Sequence, residues 1–298
     1  MRKEFSEAIE KLALEDEKLI FITGDLGYSA LENVQKAMGP RFINAGVAEQ
    51  NMVGMAAGMA SRGYKVICYS IAPFVVYRCL EQFRNDVCLH NLPVFLVGNG
   101  GGYGYGIMGS SHHAIEDLAA LSPLQNVTCY VPAFADEVGD CVRTMVQTGR
   151  PAYLRLGYGK NTPSLEQTSG SFKVLKSYPD AEASVISLGP VTQNVLTALD
   201  GDDRKINLLT ALTLPLQVTD EIVRLLTDAG HVIVTEEHVS IGGLAQQLSV
   251  QLLERGVSLK SFKSLRAEGY PDGLYGDQSY HQQQSHLDSA SILEALPV

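Results

Sequence analysis

A few side chains in this sequence could carry chemistry, and each stands where a helix or a loop begins. Glu49 ends the run Asn44-Ala45-Gly46-Val47-Ala48-Glu49 and heads a segment of small residues that includes Gly54, Ala56, Ala57, Gly58 and Ala60. Each glycine in a helix interior costs roughly 1 kcal/mol relative to alanine. Two of them need an offset, and the close approach of another helix, from this chain or another subunit, supplies one. A carboxylate at the rim of such a surface loses water, which penalises its charge unless a hydrogen-bond donor shares a proton with it. The plainer reading is a first-turn glutamate placed by the helix dipole. His112 and His113 are adjacent and point apart on any helix or strand, so no shared metal is expected. They read either as a surface pair at a helix start or as a hydrogen-bond donor and proton shuttle. Asp25, in Gly24-Asp25-Leu26-Gly27, is either a turn residue or a functional group at a strand end.

The elements that must position these residues follow from periodicity. Phe5, Ala8, Ile9, Leu12 and Ala13 lie at helical spacing, predicting a helix over 4–15. Runs at 19–23, 65–70, 94–98 and 127–132, with a fifth at 151–157, read as strands, and the uniformly apolar 94–98 as one covered on both faces. A helix is expected to about residue 90, with Arg78, Glu81, Arg84 and Asp86 on a solvated or subunit-facing side. Asn99 to Gly106 is glycine-rich, but no Lys-Ser/Thr follows it as in a phosphate loop, so a mobile loop at the mouth of a site is expected. The polar stretch 160–171 is the expected linker between domains at 1–160 and 172–298. Strands at 184–189, 206–209 and 231–235 alternate with helices in the second half, predicting a smaller parallel sheet. His238, just after the last of these, is read as structural.

Composition narrows the function classes. A formal charge of -10 over 298 residues and a pI near 5.2 argue against nucleic-acid or anionic-membrane partners. The five cysteines form no C-x-x-C pair, so neither a disulfide framework nor a zinc site is signalled, and a reducing cytoplasm fits. Acidic residues among the first seventeen exclude a secretory or transit peptide, and no apolar run approaches the roughly 20 residues of a spanning helix.

The run Asn44-Ala45-Gly46-Val47-Ala48-Glu49-Gln50-Asn51, followed by Gly63-Tyr64-Lys65-Val66 and Tyr69-Ser70-Ile71-Ala72-Pro73-Phe74, resembles the pyrimidine-binding domain of the transketolase family of thiamine-diphosphate enzymes. The resemblance implies an α/β fold of two domains, a parallel-sheet pyrimidine-binding domain and a smaller α/β C-terminal domain that supports subunit contacts. It implies that Glu49 shares a proton with the aminopyrimidine ring, so that the protein supplies tautomer control and the cofactor the covalent chemistry. By spacing, Phe74 matches the aromatic residue that stacks on that ring, with Tyr77 in reserve, and Asp25 matches an aspartate near the cofactor. His112 matches the substrate-directed histidine of the family's G-P-T-H motif, here Gly109-Ser110-Ser111-His112, although His113 is the alternative inward-facing residue.

The resemblance also fails in informative places. The family's diphosphate site uses a metal bound by a G-D-G motif, and Gly201-Asp202-Asp203 and Gly276-Asp277-Gln278 both depart at the third position. The expectation is therefore the second half of a split transketolase, in which thiamine diphosphate and Mg2+ are held mainly by a separate diphosphate-binding subunit. Self-association into an α2β2 assembly is expected with it. Met108 and Gly100 stand where the family places a substrate-reading aspartate and histidine. Tyr158 falls near a phosphate-binding arginine, for which Arg155 is the substitute. The expected reaction is transfer of a two-carbon ketol unit from a ketose, phosphorylated or not, to an aldehyde. A decarboxylating relative, such as a 2-oxoacid dehydrogenase beta subunit or a deoxyxylulose-phosphate synthase, and a catalytically silent partner subunit are the alternatives.

Overall fold

The computed structural model describes residues 1–27, 30–161 and 167–297. Its strands, in chain order, are β1 (Leu19–Thr23), β2 (Phe42–Asn44), β3 (Lys65–Ile71), β4 (Val94–Asn99), β5 (Thr128–Tyr130), β6 (Ala152–Leu156), β7 (Gln167–Ser169), β8 (Phe172–Lys176), β9 (Ala183–Leu188), β10 (Ile206–Ala211), β11 (Thr213–Leu214), β12 (His231–Glu236) and β13 (Ser261–Arg266). They form two sheets, ordered β11-β5-β6-β4-β3-β1-β2 and β13-β12-β9-β10-β8-β7.

The first sheet is parallel throughout except for β11, which crosses back from the C-terminal half and runs antiparallel to β5. Its central strands are apolar because both faces are covered. Helix α1 (Arg2–Glu15) lays Phe5, Ile9 and Leu12 on one face, where Phe5 stacks on Tyr69 at 5.6 Å between ring centroids. After α2 (Glu32–Met38), helix α3 (Glu49–Ala60) covers the other face with Met52, Val53 and Ala56. Among the described residues Gly54 and Gly58 meet no other group within 4 Å of an added Cβ.

The second sheet has a parallel core of β13, β12, β9 and β10, closed by an antiparallel hairpin of β8 and β7. That hairpin corrects one expectation. Gln167–Ser169 is a strand that pairs Ser169 with Phe172 across Gly170, which has φ 60°. Its polar residues read as a linker in sequence, although in the strand Thr168 is exposed and Ser169 is buried. Residues 162–166 of the expected linker lie outside the described residues. The expected long helix up to residue 90 is broken instead. α4 (Ala72–Tyr77) stops near Cys79, and the chain resumes through Leu80–Gln82 into a wider π-type turn over Phe83–Cys88.

Candidate active site

The parallel strands of the first sheet deliver their carboxyl ends to one edge, the usual position of a site in an open α/β sheet. β2 runs through Gly46, at φ 71°, into the head of α3, and there Glu49 is 3 % exposed. Ser70 near the end of β3 donates to Glu49 Oε1 at 3.2 Å. Arg78, just past α4, donates from Nη1 to Oε2 at 3.0 Å. The carboxylate is thus buried, satisfied and paired.

α4 begins at Ala72-Pro73, where a proline suits the first turn of a helix, and residues four apart share a face. Phe74 and Arg78 are such a pair, and the Arg78 guanidinium carbon stands 3.8 Å from the Phe74 ring centroid. His112 approaches the same ring edge-on at 5.2 Å between centroids. Its Nδ1 is 2.9 Å from the Ser111 hydroxyl, and the Tyr105 ring lies 5.7 Å away. The Tyr105 hydroxyl accepts from Asn99 Nδ2 at 2.8 Å, at the end of β4. Tyr105 also packs over Gly100, where an added Cβ would lie 2.2 Å from the ring at φ 75°. Glu49, Arg78, Phe74, His112 and Tyr105 therefore form one continuous rim.

The other candidates from the sequence have partners of their own. Asp25, at φ 60°, accepts from Asn44 Nδ2 at 2.8 Å and lines a cavity of about 370 Å³ with Thr23, Leu31, Gln35 and Phe42. Tyr77 donates its hydroxyl to Glu116 at 3.1 Å, which ties α4 to the loop before Asp117. His113 is buried away from Phe74, with Nε2 against the Gly106 carbonyl at 2.8 Å and Nδ1 against the Tyr270 hydroxyl at 2.9 Å. The carbonyl can only accept, so Nε2 carries the proton. Burial pushes this imidazole down to about 4. Tyr103, Tyr275 and His281 complete its aromatic surroundings.

Arg155 is a correction. It is 4 % exposed and donates to Asp117 at 2.9 Å, to the Glu237 carbonyl at 3.0 Å and to the Ala114 carbonyl. Tyr153 also donates to Asp117, at 2.7 Å. The guanidinium is committed to these internal partners. Arg78, expected on a solvated or subunit-facing side, is indeed 44 % exposed, yet its guanidinium also pairs with Glu49. Ser70, Tyr105 and Asn99 were not singled out by the sequence. The only local signal for Arg78 was its four-residue spacing from Phe74.

The rim offers a buried carboxylate, an aromatic face and an imidazole, a donor set that suits the nitrogen edge of a flat heteroaromatic ring such as an aminopyrimidine. The described residues contain no cluster of three or more His, Cys, Asp or Glu able to hold a metal.

Comparison with known proteins places the first part of the chain in a family. The family model for the transketolase pyrimidine-binding domain matches residues 1–161, more than half of the chain. One of the subunits of the apulose-4-phosphate transketolase of Actinobacillus succinogenes is 28 % identical over 85 % of this chain and 83 % of its own length. 1-Deoxy-D-xylulose-5-phosphate synthase 1 of Geobacter metallireducens is 31 % identical over 97 % of this chain but only 47 % of its own length. Among solved structures, a split-gene transketolase described as an inactive β4 tetramer matches with a TM-score of 0.82 and 27 % identity, over 99 % of this chain and 96 % of that one.

Proposed function

The chain belongs to the transketolase family, and on that footing we propose that it is the C-terminal half of a split, thiamine-diphosphate-dependent transketolase. It would move a two-carbon ketol unit from a ketose to an aldehyde. The observation that carries the reading is the buried Glu49 carboxylate at the head of α3, with Phe74 and His112 on the same rim. When bound, the cofactor supplies a nucleophilic carbon and an electron sink. Glu49 shares a proton at a ring nitrogen of the pyrimidine, and Ser70 fixes its other oxygen. Phe74 offers its ring as a stacking surface. His112, with Nδ1 turned to Ser111, leaves Nε2 to donate to a hydroxyl or carbonyl oxygen of the sugar. Asp25 and Tyr77 are secondary candidates near the cofactor, and His113 holds the loop that presents His112.

The departures of Gly201-Asp202-Asp203 and Gly276-Asp277-Gln278 from the family's G-D-G motif support placing the diphosphate and its Mg2+ on a separate partner chain. The solved β4 neighbour is inactive. By the same logic this chain self-associates and gains activity only when a diphosphate-binding partner completes an α2β2 assembly. Buried thiols at all five cysteines suit a reducing cytoplasm. The substrate class is a sugar or sugar phosphate.

Calorimetric titration of thiamine diphosphate and magnesium tests the reading. Tight binding is expected only when this chain is mixed with its diphosphate-binding partner, and tight binding by the chain alone would refute the split site. In the active mixture Glu49→Gln is expected to lower ketol transfer by about 10²–10⁴-fold with the fold intact. One second reading rests on an observation, the 31 % identity to a deoxyxylulose-phosphate synthase. Carbon dioxide release from a 2-oxoacid would favour it.

A further inference from the structure

Arg78 stands in the place on which the cofactor reading depends. Its Nη1 is 3.0 Å from Glu49 Oε2, while its guanidinium carbon lies 3.8 Å from the Phe74 ring centroid. A ring that both stacked on Phe74 and hydrogen-bonded Glu49 would need that same position. A guanidinium is itself planar and presents N–H donors along one edge, so it mimics the protonated edge of an aminopyrimidine.

We propose that Arg78 is an internal placeholder, which fills the pyrimidine seat in the free chain and must swing out before the cofactor enters. This rests on the thiamine-diphosphate reading given above. The side chain is built for such an exchange. It is 44 % exposed whereas that of Glu49 is 2 % exposed, so a long flexible stem can carry the charge into water without moving the backbone. The pairing also solves a problem of the chain on its own, since a buried carboxylate without a partner would be strongly destabilising. Arg78 covers Glu49 until a ligand replaces it. Breaking the pair then subtracts from the apparent affinity, as any equilibrium with a closed form does.

Two measurements on the isolated chain test this. The first is a thermal-denaturation cycle of Arg78→Ala, Glu49→Gln and the double variant. The placeholder predicts that the losses in Tm are not additive, and strict additivity would overturn it. The second uses thiamine, which lacks the diphosphate and so needs no metal, followed by ligand-observed NMR. Arg78→Ala is expected to bind at least about 10-fold more tightly than the unaltered chain, and the gain should vanish in the double variant. Equal or weaker binding by Arg78→Ala would overturn the proposal and make Arg78 a ligand contact or a bystander. A gain that survives Glu49→Gln would instead count against Glu49 as the cofactor's partner, and so against the underlying reading.

Discussion

His238 accepts from the Ala119 amide at 3.2 Å through Nε2 and sits 2.7 Å from the Val239 carbonyl through Nδ1, so both ring nitrogens are committed and the imidazole is neutral. Burial pushes it down to about 4 from 6.5. The folded value lies below the unfolded one, so the unfolded chain binds the extra proton, and stability falls as pH drops from 6.5 towards 4. At about 1.4 kcal/mol per pH unit the loss approaches 3 kcal/mol. Urea unfolding at pH 7 and pH 4.5 should show a steeper decline for the unaltered protein than for His238→Gln, and parallel declines would mean that His238 charges freely in the fold. The same distinction governs what could be read in the sequence. Glu49, Phe74 and His112 were candidates on their spacing within short motifs, and the structure brings them to one rim. Ser70 and Arg78 meet Glu49 across 21 and 29 residues, and Arg155 meets Asp117 and Glu237 across 38 and 82. Burial and partner identity at such separations are products of the fold, which is why Arg155 looked free and the pairing of the exposed Arg78 with Glu49 was not foreseen.

At the scale of elements, alternating strands and helices were legible because uniformly apolar strands and helical periodicity differ over a few residues. The break after α4 was not, since Leu80, Phe83 and Val87 keep helical spacing through the π-type turn. The glycine-rich loop after β4 was expected at the mouth of a site, but its glycines also answer to packing. Gly102 has φ 64°, and an added Cβ would fall 2.2 Å from Glu237 Oε2 and 2.8 Å from Glu237 Cβ. The neighbouring Tyr103 amide donates to that same oxygen at 3.0 Å. Gly102→Ala should therefore cost about 1–3 kcal/mol through strain and overpacking and loosen the loop that carries Tyr105. Gly139, in the helix Val138–Thr148, meets nothing within 4 Å of an added Cβ. Its alanine variant should be neutral or stabilising by up to about 1 kcal/mol. Urea midpoints of the two variants decide the matter, and similar values for both would show that the loop simply gives way at Gly102.

Across the whole molecule, the two sheets are held together by polar groups that converge from both. Arg155 on β6 reaches Asp117 and the Glu237 carbonyl just past β12. Glu237 in turn receives the Tyr103 amide and Gln278. Gly242 packs against Ala119, with an added Cβ 2.5 Å from the Ala119 Cβ. The clamp is buried, and a buried ion pair contributes little relative to a well-packed apolar pair but costs about 3–5 kcal/mol when only one partner is removed. Arg155→Met should thus destabilise by about that amount, because it strands Asp117, which is wholly buried and already has one oxygen without a hydrogen bond. Asp117→Asn combined with Arg155→Met should recover part of the loss, since the stranded charge is gone while the Tyr153 hydroxyl keeps a partner. Denaturant unfolding of the single and double variants reads both effects. If Arg155→Met lay within about 0.5 kcal/mol of the unaltered chain, as substitutions away from buried features usually do, the clamp would be no clamp, and Arg155 would return as a cation free to meet a substrate phosphate.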